Sequence, residues 1–137
     1  LDLAEALFVA RRYDEMLRTA EQIADPSPKF TAWKAAGYAH AGRAAEARRH
    51  ADNFVARMRA IWAGDAAASD AAYVAWLLST CPFRRPEDVE HLMRGLQLAG
   101  LAVSAENDPS AIAARHAPDT IAPQAGYEGG AENAAKS

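Results

Sequence analysis

Two stretches, ARRYDEMLRTA at 10–20 and AGRAAEARRHA at 41–51, place a similar short turn between runs of helically spaced apolar residues. In each, the turn is followed by an acid and then by small or apolar residues spaced for a narrow interhelical contact. Self-similarity of this kind marks a helical repeat. It constrains the fold strongly, because a lone helix pair cannot cover its own apolar face. Pairs stack and share one continuous core.

The remaining chain reads the same way. The spacing predicts helices over 1–11, 13–24, 30–41, 44–63, 70–80 and 86–99. Met16, Leu17, Ala20, Ile23 and Ala24 form one buried stripe, and Trp33, Ala36, Gly37 and Ala41 another. The fourth helix carries Ala47, Ala51, Phe54, Val55, Met58, Ile61 and Trp62, the fifth Tyr73, Trp76 and Leu77, the sixth Val89, Leu92, Met93 and Leu96. Proline stops the second helix at DPSP (25–28), and Pro86 opens the sixth at a position where its missing N–H costs nothing. Gly42 stands where a helix ends on a left-handed residue, and Gly64 and Gly100 close the fourth and sixth helices. The fold expected is all-α: a right-handed helical-repeat solenoid of about six antiparallel helices over 1–101, with a C-terminal capping helix pair.

Residues 102–137 hold three prolines, three glycines and one aromatic residue. A stretch so poor in large apolar groups cannot offset its own ordering entropy, and it reads as a disordered or weakly ordered tail. It also carries the charge. Residues 1–101 balance thirteen acids with thirteen Lys/Arg, while the tail has five acids and two bases, giving the net charge of -3. Neither part has the basic footprint of a nucleic-acid binder. Cys81 is the only cysteine, so an internal disulfide is excluded, which fits a reducing cytoplasm. No apolar run approaches a membrane span.

The repeat residues resemble those of the tetratricopeptide family. The matches are Leu3 and Ala4, Tyr13-Asp14-Glu15 and Pro28 in the first unit, then Tyr38, Gly42 and Glu46-Ala47 in the second. Arg11 stands where that family usually has a turn glycine. Further on, Pro82-Phe83, Pro86, Asp88, Leu92, Gly95-Leu96 and Ala99-Gly100-Leu101 resemble the closing segment of a group of bacterial signalling proteins. Those proteins carry a C-terminal tetratricopeptide-like region behind a class III adenylate/guanylate cyclase domain; some relatives have a winged-helix domain instead. The resemblance implies a non-catalytic scaffold, the regulatory C-terminal piece of a longer cyclase, with a protein, a peptide or an upstream domain as partner. The chain opens at Leu1 already in a helical pattern, which reads as a truncation. The same module on a winged-helix regulator, or a free-standing adaptor, is the alternative. No cofactor and no nucleic acid is implied.

The residues offer few competing sites. His40, His50, His91 and His116 form no metal-ligand motif, and a structural or solvated role is expected. Cys81 lies near Arg84 and Arg85, yet a buried apolar role is preferred to a reactive thiol. The arginines of the fourth helix read as a solvated face rather than an acidic-partner patch. Trp33, Trp62 and Trp76 read as core. The family's peptide groove lies on the inner faces of the first helix of each pair. Here that implies Trp33, Lys34 and His40 as groove residues.

Overall fold

The structure, a computed structural model, describes residues 3–24, 27–64 and 68–115. Among them are seven α-helices and no strand: α1 (Leu3–Val9), α2 (Tyr13–Glu21), α3 (Pro28–His40), α4 (Ala44–Ile61), α5 (Asp70–Ser79), α6 (Pro86–Leu98) and α7 (Pro109–Ala114). The protein is therefore all-α over these residues, and none of its helices is long and apolar enough to cross a membrane.

α1 packs on α2, and α3 on α4. The two connections have the same backbone. The N–H of Arg11 donates to the Phe8 carbonyl at 3.0 Å, and that of Arg12 to Leu7 at 2.9 Å. In the second pair Gly42 donates to Ala39 at 3.1 Å, and Arg43 to Tyr38 at 2.9 Å. Both are Schellman turns, which satisfy the last carbonyls of a helix through a left-handed residue. That residue is Gly42 (φ 81) in the second pair and Arg11 (φ 64) in the first. α6 ends in a third such turn: Gly100 (φ 103) donates to Gln97, and Leu101 donates to Leu96. Leu96 and Leu101 are both buried, supplying the apolar clasp of that motif.

α3 is the central element. It packs on α2, α4 and α6, and every residue from Thr31 to Tyr38 is buried. The sequence predicts one buried stripe there. Three neighbours converge instead, because small residues lie on several sides of α3. A Cβ on Gly37 would stand 3.0 Å from Met16 Sδ of α2. A Cβ on Gly95 of α6 would stand 2.8 Å from the Ala36 Cβ. Helix axes approach this closely only where side chains are this small.

Three expectations are corrected. Trp76 is 37% exposed, since the buried face of α5 is Tyr73, Val74, Leu77 and Leu78, and Trp76 lies to its side. Ile23 and Ile61 are exposed as well, near the ends of their stripes where no neighbour reaches. Finally, the part of the expected disordered tail that is described is ordered and ends in a helix. Asp108 caps α7 by accepting from the Ser110 N–H at 3.1 Å, and Pro109 opens it. Ile112 and Ala113 are buried, and α7 packs on α6. Judged alone the segment has too little apolar surface; α6 supplies the other half of the contact. The rest of the tail, 116–137, lies outside the described residues.

Candidate functional site

The face that α1 and α3 turn toward α6 carries Phe8, Trp33 and His40. The Cys81–Arg85 turn and α6 cover it. Phe83 is buried, stacked on Phe8 (centroids 6.2 Å) and edge-on to Trp33 (5.1 Å). Phe8 also meets Trp33 edge-on at 5.4 Å and the His91 ring of α6 at 5.4 Å. Trp33 is thus a core residue, 3% exposed, and the implied peptide groove is filled by the chain's own closing segment at Trp33 and His40. Aromatic pairs of this kind contribute about 0.5–1.5 kcal/mol each beyond their buried area, so the covering is substantial.

At the end of this face the two imidazoles of His40 and His91 lie parallel, centroids 3.7 Å apart and planes 7° apart. His40 Nε2 is 2.8 Å from the His91 carbonyl, so it carries the proton and donates. The Tyr13 hydroxyl and His91 Nε2 share a hydrogen bond. Tyr13 stacks on both rings, at 5.4 and 5.9 Å. Burial pushes His40 below the ordinary histidine range; the His91 carbonyl opposes this, while Arg11 and Arg94 add to it. Burial, the neighbouring His40 and Arg11 bring His91 down to about 4. Burial likewise raises the Tyr13 phenol. Nothing in the local sequence announces this cluster: His40 and His91 are 51 residues apart, and each looks like an ordinary helix-face histidine.

Lys34 joins a different group, centred on Glu21 of α2. Its Nζ is 3.7 Å from Glu21, whose carboxylate also accepts from the Tyr38 hydroxyl at 2.8 Å. His50 of α4 lies 3.9 Å from the same carboxylate and stacks flat on Tyr38 at 5.1 Å. Arg43 sits over the Tyr38 ring at 4.8 Å. Burial pushes the Glu21 carboxyl up, but the Tyr38 hydrogen bond and the charges of Lys34 and His50 outweigh it, and the net direction is down. This group ties α2, α3 and α4 together.

The other motif residues serve the frame. Ala47 is buried on α4 and Gly95 on α6. Pro82 leads into Phe83, and Pro86 opens α6. Buried Asp88 is held 3.5 Å from Arg11 and 3.8 Å from Arg85, linking α6 to the first hairpin turn. Over Gly100 lies the Arg48 guanidinium, 2.5 Å from where a Cβ would stand. Cys81 is buried, which pushes its thiol up to about 11 and leaves it unreactive at neutral pH.

Two open grooves run along α2. One, about 570 Å³, is lined by Arg11, Arg12, Tyr13, Asp14, Glu15 and Arg18. The other, about 550 Å³, runs past Asp14, Leu17, Arg18, Glu21, Tyr38 and Arg43. Their charges are mixed in sign. Among the described residues no three of His, Cys, Asp or Glu are grouped to hold a metal ion. No family model, curated protein or solved structure matches the chain.

Proposed function

We propose that this chain is a non-catalytic protein-interaction scaffold of tetratricopeptide-like helix pairs, serving as the regulatory region of a longer bacterial adenylate/guanylate cyclase. The observation that carries the scaffold reading is the pair of matching hairpins, α1–α2 and α3–α4, joined by the same Schellman turn, with α6 lying on the inner face of α1 and α3. In this reading α6 holds the place a bound peptide takes in that family. The partner then meets the outer face of α2, where the two open grooves offer Asp14, Arg18 and Arg43 to a mixed-charge surface. The link to a cyclase rests on the closing-segment residues, from Pro82-Phe83 to Gly100-Leu101. The same module behind a winged helix, or as a free-standing adaptor, is the second reading; the sequence resemblance favours the cyclase.

The reading frame upstream of the Leu1 codon tests the assignment. A cyclase domain with its paired metal-binding aspartates supports it. A winged helix there, or no further domain, overturns the cyclase link. Nucleotide-cyclase turnover by this chain alone overturns the non-catalytic reading.

A further inference from the structure

The imidazole pair joins α3 to α6 in a geometry that disfavours charge. The rings are in face-to-face contact at 3.7 Å. The helices that bear them cannot easily part to relieve repulsion, since Gly95 already brings the α6 backbone against His40, where a Cβ would stand 2.9 Å from the ring. Both Nε2 positions are committed: that of His40 as donor to the His91 carbonyl, that of His91 in a hydrogen bond with the Tyr13 hydroxyl. The groups that face the pair are Tyr13, Phe8 and Arg11 from the first hairpin and Arg94 from α6. The two charged ones are cations. Asp88 on α6 is engaged by Arg11 and Arg85.

We infer that His40 and His91 form a proton-sensitive latch, whose protonation below neutral pH loosens α6 from α1 and α3 and uncovers Phe8 and Trp33. The latch depends only on the packing of α6, whatever partner or parent the scaffold serves. Its sign follows from the direction of the shifts. Both histidines lie below the ordinary value of 6.5 when folded, His91 at about 4. The docked state is therefore fully favoured above 6.5 and loses that advantage as pH falls from 6.5 toward 4. Glu21 and Glu87 are held below the usual 4.5, so their own loss begins only at the acid end of that window.

The test uses the full chain at pH 7.5 and pH 5.0. Imidazole titrations by NMR should place both histidines below 6.5. Amide exchange, corrected for its intrinsic pH dependence, should show α6 losing protection relative to α4 by about tenfold at pH 5.0; linkage for His91 alone allows about thirtyfold, and partial exposure reduces it. In His91→Gln the relative loss should fall to a small fraction of that. The latch is overturned if the histidines titrate at 6.5 or above. It is equally overturned if α6 and α4 keep the same relative protection at both pH values, or if His91→Gln retains the full pH response. Should the variant fail to fold, the titration and the exchange of the unsubstituted chain decide alone.

Discussion

At the scale of single residues, the two hairpin turns pose an experiment. Arg11 and Gly42 hold the same left-handed place in the same hydrogen-bonded turn, yet only one of them is suited to it. A side chain in that region costs about 1–2 kcal/mol. Arg11→Gly should therefore raise stability by up to about 1 kcal/mol, because buried Asp88, which loses its contact with Arg11, keeps the one with Arg85 at 3.8 Å. Gly42→Ala should lower it by about 1–2 kcal/mol for backbone reasons alone, because a Cβ there meets nothing within 4 Å. Opposite shifts in urea midpoint would confirm that the turns are equivalent; shifts of the same sign would contradict it. Gly95→Ala acts by a different route. Its Cβ would collide with Ala36 and His40 at 2.8 and 2.9 Å, and overpacking of that kind costs about 1–3 kcal/mol. A melting temperature unchanged by that methyl would mean that α3 and α6 do not cross so closely. Gly42 and Gly100 were readable as helix stops from sequence. Arg11 was readable only as a departure, since nothing in an arginine signals a positive φ.

Among elements, the informative ones are α3 and α7. Trp33 reaches from α3 to Phe8 of α1 and Phe83 of the turn before α6, so it binds three parts of the chain. Trp33→Ala should cost about 3–5 kcal/mol, seen as a large drop in thermal midpoint. A drop of less than about 1 kcal/mol would place Trp33 outside the core. α7 sets a subtler test. Ile112→Ala should cost about 2 kcal/mol, the low end for such a truncation, because α7 packs mainly on one helix. Unaltered unfolding of that variant would return residues 102–115 to the disordered tail that composition alone suggests. Asp108-Pro109-Ser110 carries a helix-start signal. Composition alone does not reveal the docking, since a short segment's gain depends on a surface contributed by a distant helix.

At the scale of the whole molecule, two of the polar ties on α3 reach different neighbours. The Glu21 group joins α2, α3 and α4, while the histidine pair joins α3 to α6. Glu21 lies below its ordinary 4.5 when folded, so its contribution is present above that value and is lost as pH falls below it. Glu21→Gln should therefore flatten the acid limb of the stability curve below about pH 4.5. A change confined to higher pH would assign the acid sensitivity elsewhere.

The sequence by itself determined that the described residues are mainly helical, and it marked several helix ends. Those features rest on contacts within about four residues, and Gly42, Gly100, Pro28, Pro86 and the apolar stripes state them locally. Only the tertiary structure decided that α3 would be enclosed by three helices, that Phe83 of the turn before α6 would cover Trp33, and that Tyr13, His40 and His91 would meet across as many as 78 residues. The physical reason is one of range. A stripe shows that a face must be buried, but the partner that buries it is selected by the shape and spacing of surfaces assembled from distant parts of the chain.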